Sequence, residues 1–201
     1  DVAFSISSSD LTETSVTNSL TFTSENWNTP QNVTVTGVDD DIIDGTQTST
    51  ITVSIDDTNS DNSFDPINDQ TVSATNADDD VAGFTVSEPD GSTTVTEAGG
   101  TDTFNVVLDA QPQSDVVLTI TSSDTGEATV TSLITFTSSH WDTPQVVTVT
   151  GVDDDIIDGT QTPTITLSVN DASSDDSFDP LSDQTVSVTV SVSYTHLRAH
   201  E

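Results

Sequence analysis

Residues 101–123 read TDTFNVVLDAQPQSDVVLTITSS. Phe104, Val106 and Leu108 set an apolar side chain at every second position, and after a polar break containing Pro112 the residues Val116, Leu118 and Ile120 do the same. A period of two gathers each set on one face of an extended chain, whereas a helix needs apolar residues three and four apart. The stretch therefore predicts two half-buried strands joined by a turn. The same rhythm returns at Ile165, Leu167 and Val169 and at Val186, Val188 and Val190, in Thr-, Val- and Ile-rich segments bounded by Asp, Asn, Ser, Gly and Pro. No helical periodicity competes with it. The expected fold is all-β, an antiparallel immunoglobulin-like sandwich, with strands over 83–88, 93–96, 101–109, 115–123, 128–137, 144–152, 163–170 and 184–190.

Composition alone would point the other way. The 201 residues are 31% hydrophobic and carry 35 Asp and Glu against one Lys or Arg, a net charge of -34. Low hydrophobicity with high net charge ordinarily marks disorder, and the period-2 alternation is what argues against it here. The charge also excludes functions. Phosphate backbones and anionic headgroups are bound through Lys and Arg, so neither nucleic acid nor a membrane surface is an expected partner. The chain has no Cys, and three His leave little for an imidazole-rich metal site. No apolar run is long enough to span a bilayer, so no membrane insertion is expected of this stretch. The absence of Met suggests a piece of something longer.

At an offset of 114 residues the chain matches itself without gaps from Asp1 against Asp115 to Ala77 against Ser191, with 50 of 77 positions identical. Residues 33–48, VTVTGVDDDIIDGTQT, recur unchanged at 147–162, and Phe22/Phe136, Trp27/Trp141, Pro30/Pro144 and Phe64/Phe178 are kept. Such a period suits one sandwich domain per repeat. Residues 1–80 are expected to be a repeat lacking its first third, and 81–191 a repeat lacking its terminal acidic triplet. Residues 192–201, VSYTHLRAHE, hold the one Arg, the one Tyr and two of the three His. All ten codons fit a transposase-type sequencing adapter read in frame, so this tail is set aside as adapter-derived.

The remaining acids have no base to pair with. Two carboxylates about 5 Å apart repel by roughly 3 kcal/mol at an effective dielectric of about 20, and the chain places three in a row at Asp39, Asp40 and Asp41, at Asp78, Asp79 and Asp80, and at Asp153, Asp154 and Asp155. Either these are well-solvated turns or an external hard cation neutralises them. Ca²⁺ suits loop-borne oxygen ligands better than Mg²⁺, which demands near-octahedral geometry. The loop GVDDDIIDG is no EF-hand, because Ile stands where that loop needs oxygen.

The segments VDDDIIDGTQTPTITLSV and TVSATNADDDVAGFTVSEP resemble the Calx-beta domain, the calcium-binding sandwich of sodium/calcium exchangers that also occurs in tandem in large extracellular proteins. The likeness covers essentially residues 1–191. It implies Ca²⁺ held by a D-D-x-x-x-[ED] loop, a terminal D-D-D and an earlier Glu near the interdomain hinge. Carried over, the loop ligands are Asp39, Asp40 and Asp44 in the first repeat and Asp153, Asp154 and Asp158 in the second. The terminal triplet is Asp78, Asp79 and Asp80, and Glu97 in VTEAGG is the early Glu. A further acid falls at Asp124 or Glu127, or at Asp10 or Glu13 in the first repeat, a choice the sequence leaves open. Gln47 and Gln161 stand where the family often has Glu.

Other chemistry is weaker. His140 faces Asn26 in the alignment of the repeats, which argues against catalysis. Trp27 and Trp141 read as caps on a core or turn before they read as a sugar platform. Asp175/Asp179 and Asp61/Asp65 could be imagined as a glycosidase pair, but that needs one buried carboxyl beside a cleft, and SDDSFDPLSD reads as a solvated turn or an extra weak cation site. The expected function is a non-enzymatic, calcium-stiffened extracellular spacer of a secreted or cell-surface adhesin-like protein, contacting neighbouring repeats of its own chain and a cell-surface or matrix ligand. A glycan- or ligand-binding adhesin domain and an accessory domain of a secreted enzyme are the alternatives.

Overall fold

A computed structural model describes residues 1–156 and 158–192. The adapter-like tail lies outside the described residues except for Val192. The described chain is nearly all β and divides into a first unit, Asp1–Asp79, and a second beginning at Asp80.

The second unit holds nine strands. They are β7 (Phe84–Ser87), β8 (Thr93–Thr96), β9 (Thr101–Leu108), β10 (Val116–Ser122), β11 (Ala128–Val130), β12 (Leu133–Phe136), β13 (Gln145–Gly151), β14 (Thr164–Val169) and β15 (Gln184–Ser191). One sheet runs β12-β10-β14-β15-β8 and the other β11-β13-β9-β7. The alternation noted in the sequence is what fills the core. Phe104 and Val106 on β9, Val147 and Val149 on β13, Leu118 on β10 and Leu167 on β14 are wholly shielded from solvent. Each such apolar side chain contributes on the order of 1.5–3 kcal/mol when removed from water.

One expected strand needs correction. The single strand expected over 128–137 is two strands in different sheets, because the chain crosses between layers at Thr131 and Ser132. Thr131 N–H donates to the Thr148 carbonyl in one sheet (3.0 Å), while the Ser132 carbonyl accepts from Ile120 N–H in the other (2.9 Å). The pairing among the described strands is antiparallel as expected, with one parallel edge: β8 runs parallel to β15, pairing Val188 with Thr93 through Ser191 with Thr96. The chain switches sheets between β7 and β8, so β8 reaches the β15 edge in the direction opposite to a hairpin partner.

The first unit has six strands, β1 (Val2–Ser8), β2 (Thr14–Val16), β3 (Ser19–Phe22), β4 (Val35–Gly37), β5 (Gln47–Ile55) and β6 (Gln70–Asn76), in sheets β3-β1-β5-β6 and β2-β4. Their registers are those of β10–β15 less 114. Val2 pairs with Phe22 as Val116 pairs with Phe136, and Thr14 pairs with Gly37 as Ala128 pairs with Gly151. Strands equivalent to β7, β8 and β9 are absent from the described first unit. Its core is correspondingly small, with Ile6 and Ile51 buried and Phe4 edge-on to Phe22 at 5.8 Å.

Candidate functional site

Glu97, Glu127, Asp153, Asp154 and Asp158 lie toward one end of the second unit's sandwich, close enough to feel one another's charge. Glu97 follows β8 directly, in a turn whose Gly99 takes a left-handed φ of 81° and donates to the Glu97 carbonyl at 2.7 Å. Only glycine adopts that φ without strain, so the TEAGG sequence is what fixes the turn. Backbone bonds anchor both sides, with Glu97 N–H on the Ser191 carbonyl (3.2 Å) and Gly151 N–H on the Gly100 carbonyl (2.9 Å). Gly151 has no room for a side chain, since a Cβ there would overlap the Thr96 carbonyl. Glu127 precedes β11, and its carbonyl accepts from Val152 N–H at 2.8 Å, tying it to the start of the acidic β13–β14 loop.

Glu97 and Glu127 are 5% and 9% exposed. Among the described residues, no hydrogen-bond donor reaches either carboxylate. Burial, followed by the negative charges of Asp154, Asp158 and Asp153, pushes the Glu97 carboxyl above the usual glutamate range. Glu127 is raised by burial and then by Asp158, Asp154, Asp124 and Glu97. The geometry thus brings Glu97 together electrostatically with the loop acids Asp153, Asp154 and Asp158. Of the two acids left open by the sequence, Glu127 is buried, while Asp124 is exposed and accepts from Gly126 N–H in its own turn (2.9 Å). The available signal was the position of Glu127 immediately before the strand that begins at Ala128, with Glu13 at the same place in the first unit.

In the first unit, Asp44 N–H and Gly45 N–H both donate to Oδ2 of Asp78, at 3.2 and 2.6 Å. Asp44 and Asp78 are therefore neighbours. Asp40 turns its Oδ1 to Ile42 N–H (2.8 Å), as Asp154 does to Ile156 N–H (2.7 Å). Asp39 and Asp79 are exposed, and Asp80 opens the second unit. Glu13, the counterpart of Glu127, is also buried, but its Oε2 accepts from the Asn76 amide at 3.2 Å. Val190 stands at that position in the second unit, so Glu127 has no such partner.

Gln47 and Gln161 brace the acidic loops. Their Nε2 groups donate to the carbonyls of Asp44 (2.9 Å) and Asp158 (3.2 Å), bonds a carboxylate could not make. Among the described residues, no three carboxylates converge closely enough to hold one metal ion as they stand. The donor chemistry, carboxylate oxygen without nitrogen or sulfur, fits a hard cation.

The segment around Asp175 is not the solvated turn its composition suggests. Asp175 is 7% exposed and its Oδ2 accepts from Gln113 N–H (2.8 Å) and Ser114 N–H (2.9 Å), its Oδ1 from Ser177 N–H (3.0 Å). Burial raises its pKa, but the N–H groups of Ser177, Ser114 and Gln113 and the Ser177 hydroxyl outweigh that and leave it below the usual aspartate value. It pins a loop. Asp179 is raised by burial and by Asp171, Asp176 and Asp175, and its Oδ1 is shielded with no hydrogen-bond partner. His140 is exposed, with Nδ1 2.9 Å from the Ser139 hydroxyl. Trp141 is half-buried and its carbonyl accepts from Leu108 N–H (3.2 Å), whereas Trp27 is 71% exposed and caps nothing.

No family model and no curated protein matches the chain. Among solved structures it is similar to domains 4 and 5 of the S-layer protein SbsC, at 18% identity and a TM-score of 0.45 over 94% of this chain and 70% of that one. Against SbsC domains 1–6 the identity is 18% and the TM-score 0.46, over 94% of this chain and 20% of that one. The apo form of the Calx CBD1 domain matches at 14% identity and a TM-score of 0.37, over 55% of this chain and 97% of that one. No helix among the described residues is long and apolar enough to cross a membrane.

Proposed function

We propose that the chain is a non-enzymatic, calcium-binding β-sandwich module of a secreted or cell-surface protein, serving as a spacer that Ca²⁺ stiffens. The observation that carries this reading is the pair of buried residues Glu97 and Glu127, whose carboxylates meet no donor among the described residues while both feel the negative charges of Asp154 and Asp158, and Glu97 that of Asp153 as well. A buried carboxylate without a partner is unfavourable, and one beside other carboxylates more so. Such an arrangement costs stability unless a cation is drawn in. Glu97 and Glu127 are set by the β8–β9 turn and by the start of β11, so they form the fixed side of the cluster. Asp153, Asp154 and Asp158 ride on a loop and supply the side able to close. When bound, a divalent cation supplies the positive charge that the chain itself lacks. In the first unit, Asp39, Asp40, Asp44, Asp78 and Asp79 are the acids proposed for the same role, and Asp80, the last of that triplet in sequence, belongs to the second unit.

Calorimetric titration of the whole chain with CaCl₂ tests the reading. Saturable binding in the micromolar to millimolar range is expected, weakened at least tenfold by Glu97→Gln. The absence of binding at millimolar Ca²⁺ would falsify it.

A further inference from the structure

The loop between β14 and β15 holds two carboxylates with opposite fates. Asp175 is fully committed, its Oδ2 accepting from Gln113 and Ser114 N–H and its Oδ1 from Ser177 N–H. Asp179 is half-buried, and its Oδ1 is shielded from solvent without a hydrogen-bond partner. That oxygen is neither solvated nor spent on a donor, a costly state for an ionised carboxylate. Protonation relieves the cost. Burial, then the charges of Asp171, Asp176 and Asp175, hold the Asp179 carboxyl above the usual aspartate range, and no cation is among these influences.

The next residue is Pro180. Phe178, wholly shielded from solvent, anchors the turn: its N–H donates to the Asp175 carbonyl (2.9 Å), and its own carbonyl accepts from Leu181 N–H (3.1 Å). Asp179 and Pro180 are thus the two central residues of a tight turn. Proline makes the link between them a tertiary amide, whose more substituted nitrogen takes up a proton more readily as it leaves than an ordinary peptide nitrogen does. The side-chain oxygen and the backbone carbonyl carbon of Asp179 belong to one residue, so joining them closes a five-membered ring with no second group to bring in. Closure needs a carboxyl oxygen that is not held elsewhere. Asp175 fails on both counts, since N–H groups occupy its oxygens and Asp176, not a proline, follows it.

We propose that the Asp179–Pro180 bond is a self-cleavage site of the folded chain, at which the Asp179 carboxyl attacks its own backbone carbonyl carbon. A C–O bond forms within Asp179 as the C–N bond to Pro180 breaks, giving a cyclic anhydride. The carboxyl proton passes to the Pro180 nitrogen, which leaves as a secondary amine. Water then opens the anhydride, restoring the side-chain carboxyl and leaving a new α-carboxyl on Asp179, so the net change is the addition of one water. The reacting species is the neutral carboxyl, and acidification therefore favours the cut. It falls between β14 and β15, and β15 stays paired with β14 and with β8, so the two pieces remain together until denatured.

The chain carries its own reference bond for the test, since Ile67 N–H donates to the Phe64 carbonyl (3.0 Å) around an exposed Asp65 and Pro66. The whole chain is held metal-free at a pH of about 5, above the usual aspartate value of about 4, and sampled by mass spectrometry under denaturing conditions. Fragments 1–179 and 180–201 are expected, with masses that add to the intact chain plus one water, and they should form several-fold faster than fragment 1–65. In strong denaturant at the same pH the two bonds should break at similar rates, because the fold no longer distinguishes them. Hydroxylamine should trap the anhydride as a hydroxamate on the last residue of 1–179. Asp179→Ala should abolish the cut, and Pro180→Ala, which keeps the carboxyl, should slow it several-fold. An uncut folded chain, cleavage no faster at 179 than at 65, or the same excess in denaturant overturns the proposal. So does undiminished cleavage in either variant, or failure to trap the hydroxamate.

Discussion

Single carboxylates in this chain play opposite parts, and pH separates them. Glu97 and Glu127 titrate above the usual glutamate range in the folded state, so the folded chain keeps protons that the unfolded chain has already released. Their contribution to stability is present at low pH and is lost as pH rises through the raised folded-state values. Asp175 titrates below its usual value, so its contribution is present above the usual aspartate range and is lost as pH falls through the lower folded-state value. Metal-free denaturation at a series of pH values should show the Glu97→Gln/Glu127→Gln chain losing less stability than the unaltered chain between acid and neutral pH. An equal loss in both would remove these residues from the account. Asp175→Ala removes the acceptor of three part-buried backbone N–H groups and should lower stability by about 1–2 kcal/mol at neutral pH, the order expected for hydrogen bonds to a charged group. Glu97 entered the sequence reading through the resemblance of VTEAGG to a known family, which says nothing of its burial. The role of Asp175 was not legible in the sequence, since its donors at Gln113 and Ser114 lie some sixty residues away and no local pattern signals them.

Strands were legible wherever one face is buried, because the inward positions are then forced to be apolar at every second residue. This is why Phe104, Val106 and Leu108 marked β9 to within a residue. What the alternation cannot mark is which sheet a strand joins. Residues 128–136 keep their rhythm through Thr131 and Ser132, where the chain passes from one layer to the other, and the parallel placement of β8 is likewise set by the distant β15. Close approach is similarly invisible until the partner is in place. Gly151→Ala pushes a methyl group into the Thr96 carbonyl and should cost about 1–3 kcal/mol by overpacking. At the counterpart Gly37 the neighbour is the Asn76 side chain, which can turn aside, so Gly37→Ala should cost less. Denaturant unfolding of the two variants gives the comparison, and equal losses would mean that the Thr96 contact does not constrain β13.

At the scale of the molecule, one set of six strand registers occurs twice, and among the described residues only the second set packs beside β7, β8 and β9. The internal sequence match does not say how far a side chain is left in water, because exposure depends on which strands lie beside it. Burial separates the two energetically, and unfolding followed by scanning calorimetry should resolve two transitions. The lower belongs to the first unit, assigned by Trp27 emission, and the higher to the second, assigned by Trp141. The shared excess of acid makes the whole chain sensitive to cations, through general screening and, on the proposed reading, through specific binding at Glu97 and Glu127. The two are separable, because screening is indifferent to which carboxylate is removed. At free Ca²⁺ one hundredfold above Kd, linkage amounts to about 2.7 kcal/mol, which for a domain of about 100 residues raises the midpoint by on the order of 10 °C. The decisive measurement is the Tm of the second transition at neutral pH and fixed ionic strength, with and without Ca²⁺, in the unaltered chain and in the Glu97→Gln/Glu127→Gln chain. The account predicts a rise of that size in the unaltered chain and little or none in the variant; no rise in the unaltered chain, or the same rise in both, would contradict it.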